Sequence, residues 1–134
     1  MNTLNLEDRM VQGIDTKVLN PVDNSTMDSI FIKIQDRFRK ILFNDILYIE
    51  ASGSYCNFYL QTGDKIIVTY SLADTIQHLS EVLFIRVHRS FVINKKHVTG
   101  YVGNIFYMGE HIIPIGRQYK KEALSRFNIL GIIS

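Results

Sequence analysis

Apolar and polar side chains alternate along much of this chain, and the period of the alternation changes in two places. Residues 29–34 (Ser-Ile-Phe-Ile-Lys-Ile) read as a strand, Gln35-Asp36 as a turn, and residues 37–42 as the hairpin partner. Residues 46–50 predict another strand running into a loop over 51–54. Residues 55–60 and 65–70 then predict a second hairpin, closed by a turn at Thr62-Gly63-Asp64.

At Ser71 the period lengthens. Leu72, Ile76 and Leu79 recur at helical spacing behind Ser71 and Asp74, a pair suited to an N-cap and an acidic first turn, so the pattern predicts a short helix over about 72–80. Strand signals resume at Phe84 and continue through 91–93, 98–102, 105–108 and 111–115, with glycines 100, 103 and 109 as punctuation. Beyond Pro114 and Gly116, residues 118–127 have helical composition, with Tyr119, Ala123 and Phe127 on one stripe. Many short strands with two short helices predict a mainly β fold. A parallel sheet would need more helical crossovers than the pattern supplies. Residues 1–28, interrupted by Gly13, Asn20-Pro21 and Asp23-Asn24-Ser25, read as a poorly ordered leader or linker. The domain is expected over 29–128, with 129–134 as a C-terminal tail.

The chain has 134 residues, 46% of them hydrophobic and 21% charged, enough for one domain with a core and without disulfide or metal staples. The single cysteine excludes an internal disulfide and suits the reducing cytoplasm. No apolar run is long enough to span a membrane, and the N-terminus lacks the basic and apolar regions of a secretion signal. The net charge of +2 hides an asymmetry. Residues 1–28 carry two basic side chains (Arg9, Lys17) against five acidic ones, whereas residues 86–126 hold eight basic and two acidic. A local basic excess suits a polyanionic partner, because neutralising phosphates releases condensed counterions. It also suits a solvated basic face, or a β-rich interaction module that meets acidic proteins or an anionic surface.

Catalytic signals are weak. Cys56 could pair with His78, His88, His97 or His111 as nucleophile and base, but it sits in an aromatic strand pattern with nothing to lower its pKa. The histidines are scattered, no second cysteine completes a metal site, and phosphate-binding glycine motifs are absent, so neither enzyme activity nor a cofactor is expected.

The distinctive stretch is residues 84–98, Phe-Ile-Arg-Val-His-Arg-Ser-Phe-Val-Ile-Asn-Lys-Lys-His-Val. Its Arg86, His88, Arg89, Ser90 and Asn94 resemble the core pattern of the LytTR family of bacterial transcription-regulator domains. Asp45-Ile46-Leu47-Tyr48-Ile49-Glu50-Ala51 is similar to the family's strand entering its first recognition loop, and Pro114-Ile115-Gly116-Arg117 to the segment before its final helix. The resemblance spans about residues 29–128. It implies antiparallel strands in a small stack of sheets with one or two short helices, and sequence-specific binding of double-stranded DNA by loops in successive major grooves. It also implies paired direct repeats as target, a weak dimer on DNA, and an upstream receiver or sensor partner, although residues 1–28 are too few to be one.

Carried over by resemblance, the base-reading positions fall at Ser54, Cys56 and Asn57, at Arg89, and at Arg117. Arginine suits that role because its fixed fork matches O6 and N7 of guanine, and asparagine can pair similarly with adenine. Lys95, Lys96, Lys120 and Lys121 are the candidates for phosphate contacts. Arg86, His88, Ser90 and Asn94 are expected to support the recognition loop. Strict alternation would put Arg89 on an apolar face with Val87 and Phe91, so exposing it requires the strand to break between His88 and Ser90.

Overall fold

The computed structural model describes residues 27–131, so the expectation of a poorly ordered leader falls almost wholly outside the described residues. Strand β1 (Ser29–Ile34) and β2 (Arg37–Leu42) form the first predicted hairpin in the predicted register, with Gln35 at φ 59° in its turn. A short 3-10 turn, Phe43–Asp45, leads into β3 (Ile46–Ser52), which extends two residues further than the alternation predicted. β4 (Tyr55–Leu60) and β5 (Lys65–Val68) complete the second hairpin. Helix α1 (Leu72–Ile76) starts where predicted, because the Ser71 hydroxyl oxygen accepts from the Asp74 N–H at 3.1 Å. It ends earlier because the last turns close with i→i−3 bonds, from His78 N–H to the Thr75 carbonyl and from Leu79 N–H to Ile76.

β6 (Phe84–His88), β7 (Phe91–Asn94), a 3-10 turn over Lys95–His97, β8 (Gly100–Val102), β9 (Ile105–Met108), β10 (His111–Pro114) and helix α2 (Arg117–Ser125) follow. All strand pairings among the described residues are antiparallel, as the resemblance implied.

The strands form three sheets: β1–β2, a five-stranded sheet in the order β5-β4-β3-β7-β6, and β8-β9-β10. The five-stranded sheet is covered on both faces. On one side Ile49, Phe58 and Val92 meet Ile32 and Ile41 of the first hairpin, Phe43, Leu72 of α1 and Leu79 just beyond it. On the other, Ile85, Val87 and Ile93 meet Phe106, Met108 and Ile113 of the three-stranded sheet and Ala123 and Leu124 of α2. Adjacent residues of one strand therefore enter different cores, which is why β6 and β7 read as nearly continuous apolar runs. Burying each large side chain contributes roughly 1.5–3 kcal/mol, so the central sheet is the most strongly held layer.

Two register shifts interrupt the pleat. β3 gains one residue relative to β4 between Ile46 and Tyr48, and β6 gains one relative to β7 between Arg86 and His88. A bulge of this kind turns the side chains beyond it, and the second one stands immediately before the Arg89-Ser90 turn.

Candidate nucleic-acid interface

β6 stops at His88 and β7 starts at Phe91, so Arg89 and Ser90 form a two-residue turn between paired strands, and the break that an exposed Arg89 requires is present. Three polar contacts shape it. The Arg86 guanidinium donates from Nε to the His88 carbonyl at 2.9 Å and from Nη2 to the Arg89 carbonyl at 2.5 Å. The Ser90 N–H donates to His88 Nδ1 at 3.0 Å, which leaves a neutral His88 with its proton on Nε2. Both backbone ends of the turn are thereby satisfied, and the Arg89 side chain is left exposed to solvent. Arg86, His88 and Ser90 are thus joined through the backbone of this turn.

The second bend is next to the first. The Gly116 N–H donates to the Val87 carbonyl at 2.7 Å, and α2 begins at Arg117, which is exposed. Arg89 and Arg117 line one shallow concavity of about 340 Å³, together with His88, Gly116, Gln118 and Tyr119. Each arginine sits on a bend held by backbone hydrogen bonds.

The third bend reaches the same end of the sheet. Ser54 is exposed in the two-residue turn Gly53-Ser54 between β3 and β4, where Gly53 takes φ +63°, a conformation that favours glycine. The Ala51 N–H donates to the Ser90 carbonyl at 2.8 Å, which ties the end of β3 to the Arg89-Ser90 turn. Asn57 is half-buried on the outer side of β4, opposite Glu50, whose carboxylate accepts from the Tyr59 hydroxyl at 3.2 Å.

Cys56 does not belong to this surface, and the expectation that it contacts bases is corrected. Alternation turns it inward with Phe58, leaving it fully buried, with Sγ 3.4 Å from Thr75 Oγ1. Burial pushes its thiol pKa up, against a smaller opposing effect of the Thr75 hydrogen bond, so the thiol is held protonated. That environment is also opposite to the one a nucleophilic cysteine needs.

Asn94 is the second correction. It is fully buried at the far end of β7, where Nδ2 donates to the carbonyls of Phe43 at 3.0 Å and Ile46 at 2.9 Å, and Oδ1 accepts from the Lys96 N–H at 3.0 Å. It secures that end of the sheet rather than the recognition turn. Lys95 and Lys96 follow it. With the four residues of β7 between Ser90 and Lys95, roughly 16 Å of extended chain separates Lys95 from the Arg89-Ser90 turn. The Lys95 ammonium lies over the Phe127 ring at 5.7 Å. Lys120 and Lys121 are nearer, on the first turns of α2. Lys120 Nζ donates to Asn104 Oδ1 at 2.9 Å, and Lys121 is exposed one turn behind Arg117.

Two residues of this region were not among the sequence candidates. Tyr119 stands in the sequence as one member of an apolar helical stripe, and Gly116 as a breaker before a helix. Gly116 stands within the 114–117 stretch that carries the resemblance, but nothing local shows what either residue does, because their roles depend on β6. A larger cavity, of about 560 Å³, lies elsewhere, between β1, β5 and α1, lined by Phe31, Phe38, Ile67 and Tyr70 among others.

A profile of the LytTr DNA-binding domain matches residues 36–128. Among solved structures the chain is similar to the LytTr DNA-binding domain of a protein described as a methyl-accepting/DNA response regulator from Bacillus cereus. The two are 21% identical, with a TM-score of 0.63 over 75% of this chain and 96% of that one. A search of curated proteins gives no match. No helix among the described residues is long and apolar enough to cross a membrane. The fold is that of the solved relative, and because the profile covers well over half of the sequence, the chain belongs to the LytTR family of DNA-binding domains, which act in transcription regulation.

Proposed function

We propose that this protein binds double-stranded DNA sequence-specifically, with Arg89 and Arg117 reading base edges in the major groove and the Ser54 turn, with Asn57 behind it, reaching an adjacent part of the duplex. The observation that carries this reading is that three separate bends meet at one end of the central sheet, with both arginines exposed in one concavity. An arginine presented from a fixed turn loses little conformational entropy when it pairs with guanine, and each bidentate pair discriminates by roughly 1–3 kcal/mol. Lys121, and Lys120 beside it, are placed to meet phosphates along the same helix, which sets register without reading sequence.

The same reading includes two copies on paired direct repeats, weakly associated on DNA. It also includes a receiver or sensor partner upstream and a cytoplasmic location, where the regulated DNA is.

Selection of bound duplexes from a random pool tests the proposal, followed by titration of the recovered site and of random duplex over a range of salt. A recoverable motif with steep salt dependence is expected. Recovery of no motif, with equal affinity for all duplexes, would overturn sequence-specific reading. A protein that shifts no duplex at low salt would favour the interaction-module alternative, for which the exposed Phe31, Phe38, Ile67 and Tyr70 around the large cavity would be the natural surface.

A further inference from the structure

Arg86 stands two residues before its turn and spends the edge of its guanidinium on the carbonyls of His88 and Arg89. The same guanidinium also meets an aromatic ring. Arg86 Cζ lies over the face of the Tyr119 ring, 5.7 Å from its centroid, a cation–π contact. Tyr119 is the third residue of α2, in the same helical turn that begins with Arg117. The group that shapes the Arg89 turn is therefore held by the element that carries Arg117.

A second contact joins the same two bends. The Gly116 N–H donates to the Val87 carbonyl at 2.7 Å, in the bulge of β6. A Cβ at position 116 would stand 3.1 Å from Tyr119 Cδ2, tighter than a side chain comfortably allows, and in ordinary contact with the His88 Cα at 3.5 Å, so Gly116 lets the Tyr119 ring pack close against the start of α2 beside the turn. Backbone bond, close packing and ring contact together leave little freedom between Arg89 and Arg117.

We infer that Tyr119 and Gly116 are positioning residues that set the spacing of Arg89 and Arg117, making the two arginines one rigid reading head rather than two independent contacts. The inference rests on the base-reading role proposed above and deepens it, since neither residue is required to touch DNA. The physical ground is tolerance: bidentate pairing needs its donors placed within roughly 0.5 Å, and two pairs on successive base edges need their separation held to the same degree.

The test uses the full chain and the duplex recovered by selection. Affinities for that duplex, for copies substituted one base pair at a time, and for random duplex are compared at one salt concentration. The variants are Tyr119→Leu, Tyr119→Phe, Gly116→Ala, Arg89→Ala and Arg117→Ala, each checked for folding by circular dichroism. Each arginine variant should relax preference at its own base pair. Tyr119→Leu should relax both together, lowering the cognate-to-random ratio roughly tenfold while affinity for random duplex stays unchanged. Tyr119→Phe keeps the ring and should keep the ratio. Gly116→Ala should show the Leu pattern more weakly, because its neighbours must yield by only a few tenths of an ångström.

The inference is overturned if Tyr119→Leu relaxes neither position or only one, if it weakens all duplexes alike, or if Tyr119→Phe behaves like Leu, which would make the hydroxyl the active group. If Tyr119→Leu does not fold, Gly116→Ala decides by the same criteria. Loss of preference in both arginine variants with none in the Tyr119 and Gly116 variants would sink the positioning role alone. Unchanged preference in both arginine variants would remove the base-reading assignment, and this inference with it.

Discussion

The two ends of strand β7 use the same device for opposite purposes. At one end Asn94 donates to two backbone carbonyls; at the other Arg86 does so. Asn94 is fully buried and its targets, Phe43 and Ile46, lie some fifty residues away in the chain, so its bonds close a seam of the core. Arg86 is half-buried and its targets are two and three residues away, so its bonds shape a local turn and push the next side chain outward. A side chain bonded to distant backbone seals; one bonded to nearby backbone aims. The difference separates what keeps this domain folded from what shapes the surface proposed to meet DNA.

Substitutions at the two ends should separate these roles. Asn94→Ala should have the largest effect, because two buried carbonyls lose their donors at once. A destabilisation of about 2–4 kcal/mol is expected in urea unfolding, with cognate preference retained wherever the protein is still folded. If stability changed by less than about 0.5 kcal/mol, the sealing role would be wrong.

Arg89→Ala is expected to do the reverse. It should lose roughly 1–3 kcal/mol of cognate affinity in mobility-shift titrations, with unfolding midpoint within about 0.5 kcal/mol of the parent. The lysines sharpen the contrast. Lys121→Ala should weaken cognate and random duplex alike and flatten the salt slope by about one unit, whereas Lys96→Ala, at the sealed end, should leave both unchanged. Equal slopes for the two variants would mean that DNA covers both ends of the sheet.

The smallest effect is on the alkaline side. Burial, then the neighbouring Tyr59 and Glu50, push the Tyr48 pKa up; burial and the hydrogen bond to Glu50 do the same for Tyr59. In each case the folded state holds its proton more tightly than the unfolded chain. Their contribution is therefore complete below the ordinary tyrosine pKa of 10.0 and is lost as pH rises above it. The tyrosine contribution should fall above about 10, beyond the loss that the buried Cys56 thiol begins above its ordinary value of 9.0, and the fall above 10 should diminish in Tyr59→Phe. An undiminished fall would assign it to other groups.

Much of the fold was legible in the chain. Period-two alternation, paired turn residues and the Ser71 cap are local signals, and they located all ten strands and both helices of the described residues to within a few positions. The stretch Arg86 to Asn94 was recognisable as a unit for the same reason, since the residues that shape the Arg89 turn lie beside it. The inward turn of Cys56 was also written in the alternation, between an outward Tyr55 and Asn57; transferring base reading by position overrode that signal.

What the chain alone determined was therefore its strand and turn order, because each alternating segment and each turn residue acts on its immediate neighbours. Tertiary structure decided which end of β7 carries the three exposed bends, that Asn94 belongs to the core, and that Arg89, Arg117 and Ser54 share one surface. Those outcomes depend on hydrogen bonds from Asn94 to Phe43, from Gly116 to Val87 and from Ala51 to Ser90, between segments about thirty to fifty residues apart in the chain. A bulge or a cross-strand bond is defined by its partner strand, and no local pattern contains the partner.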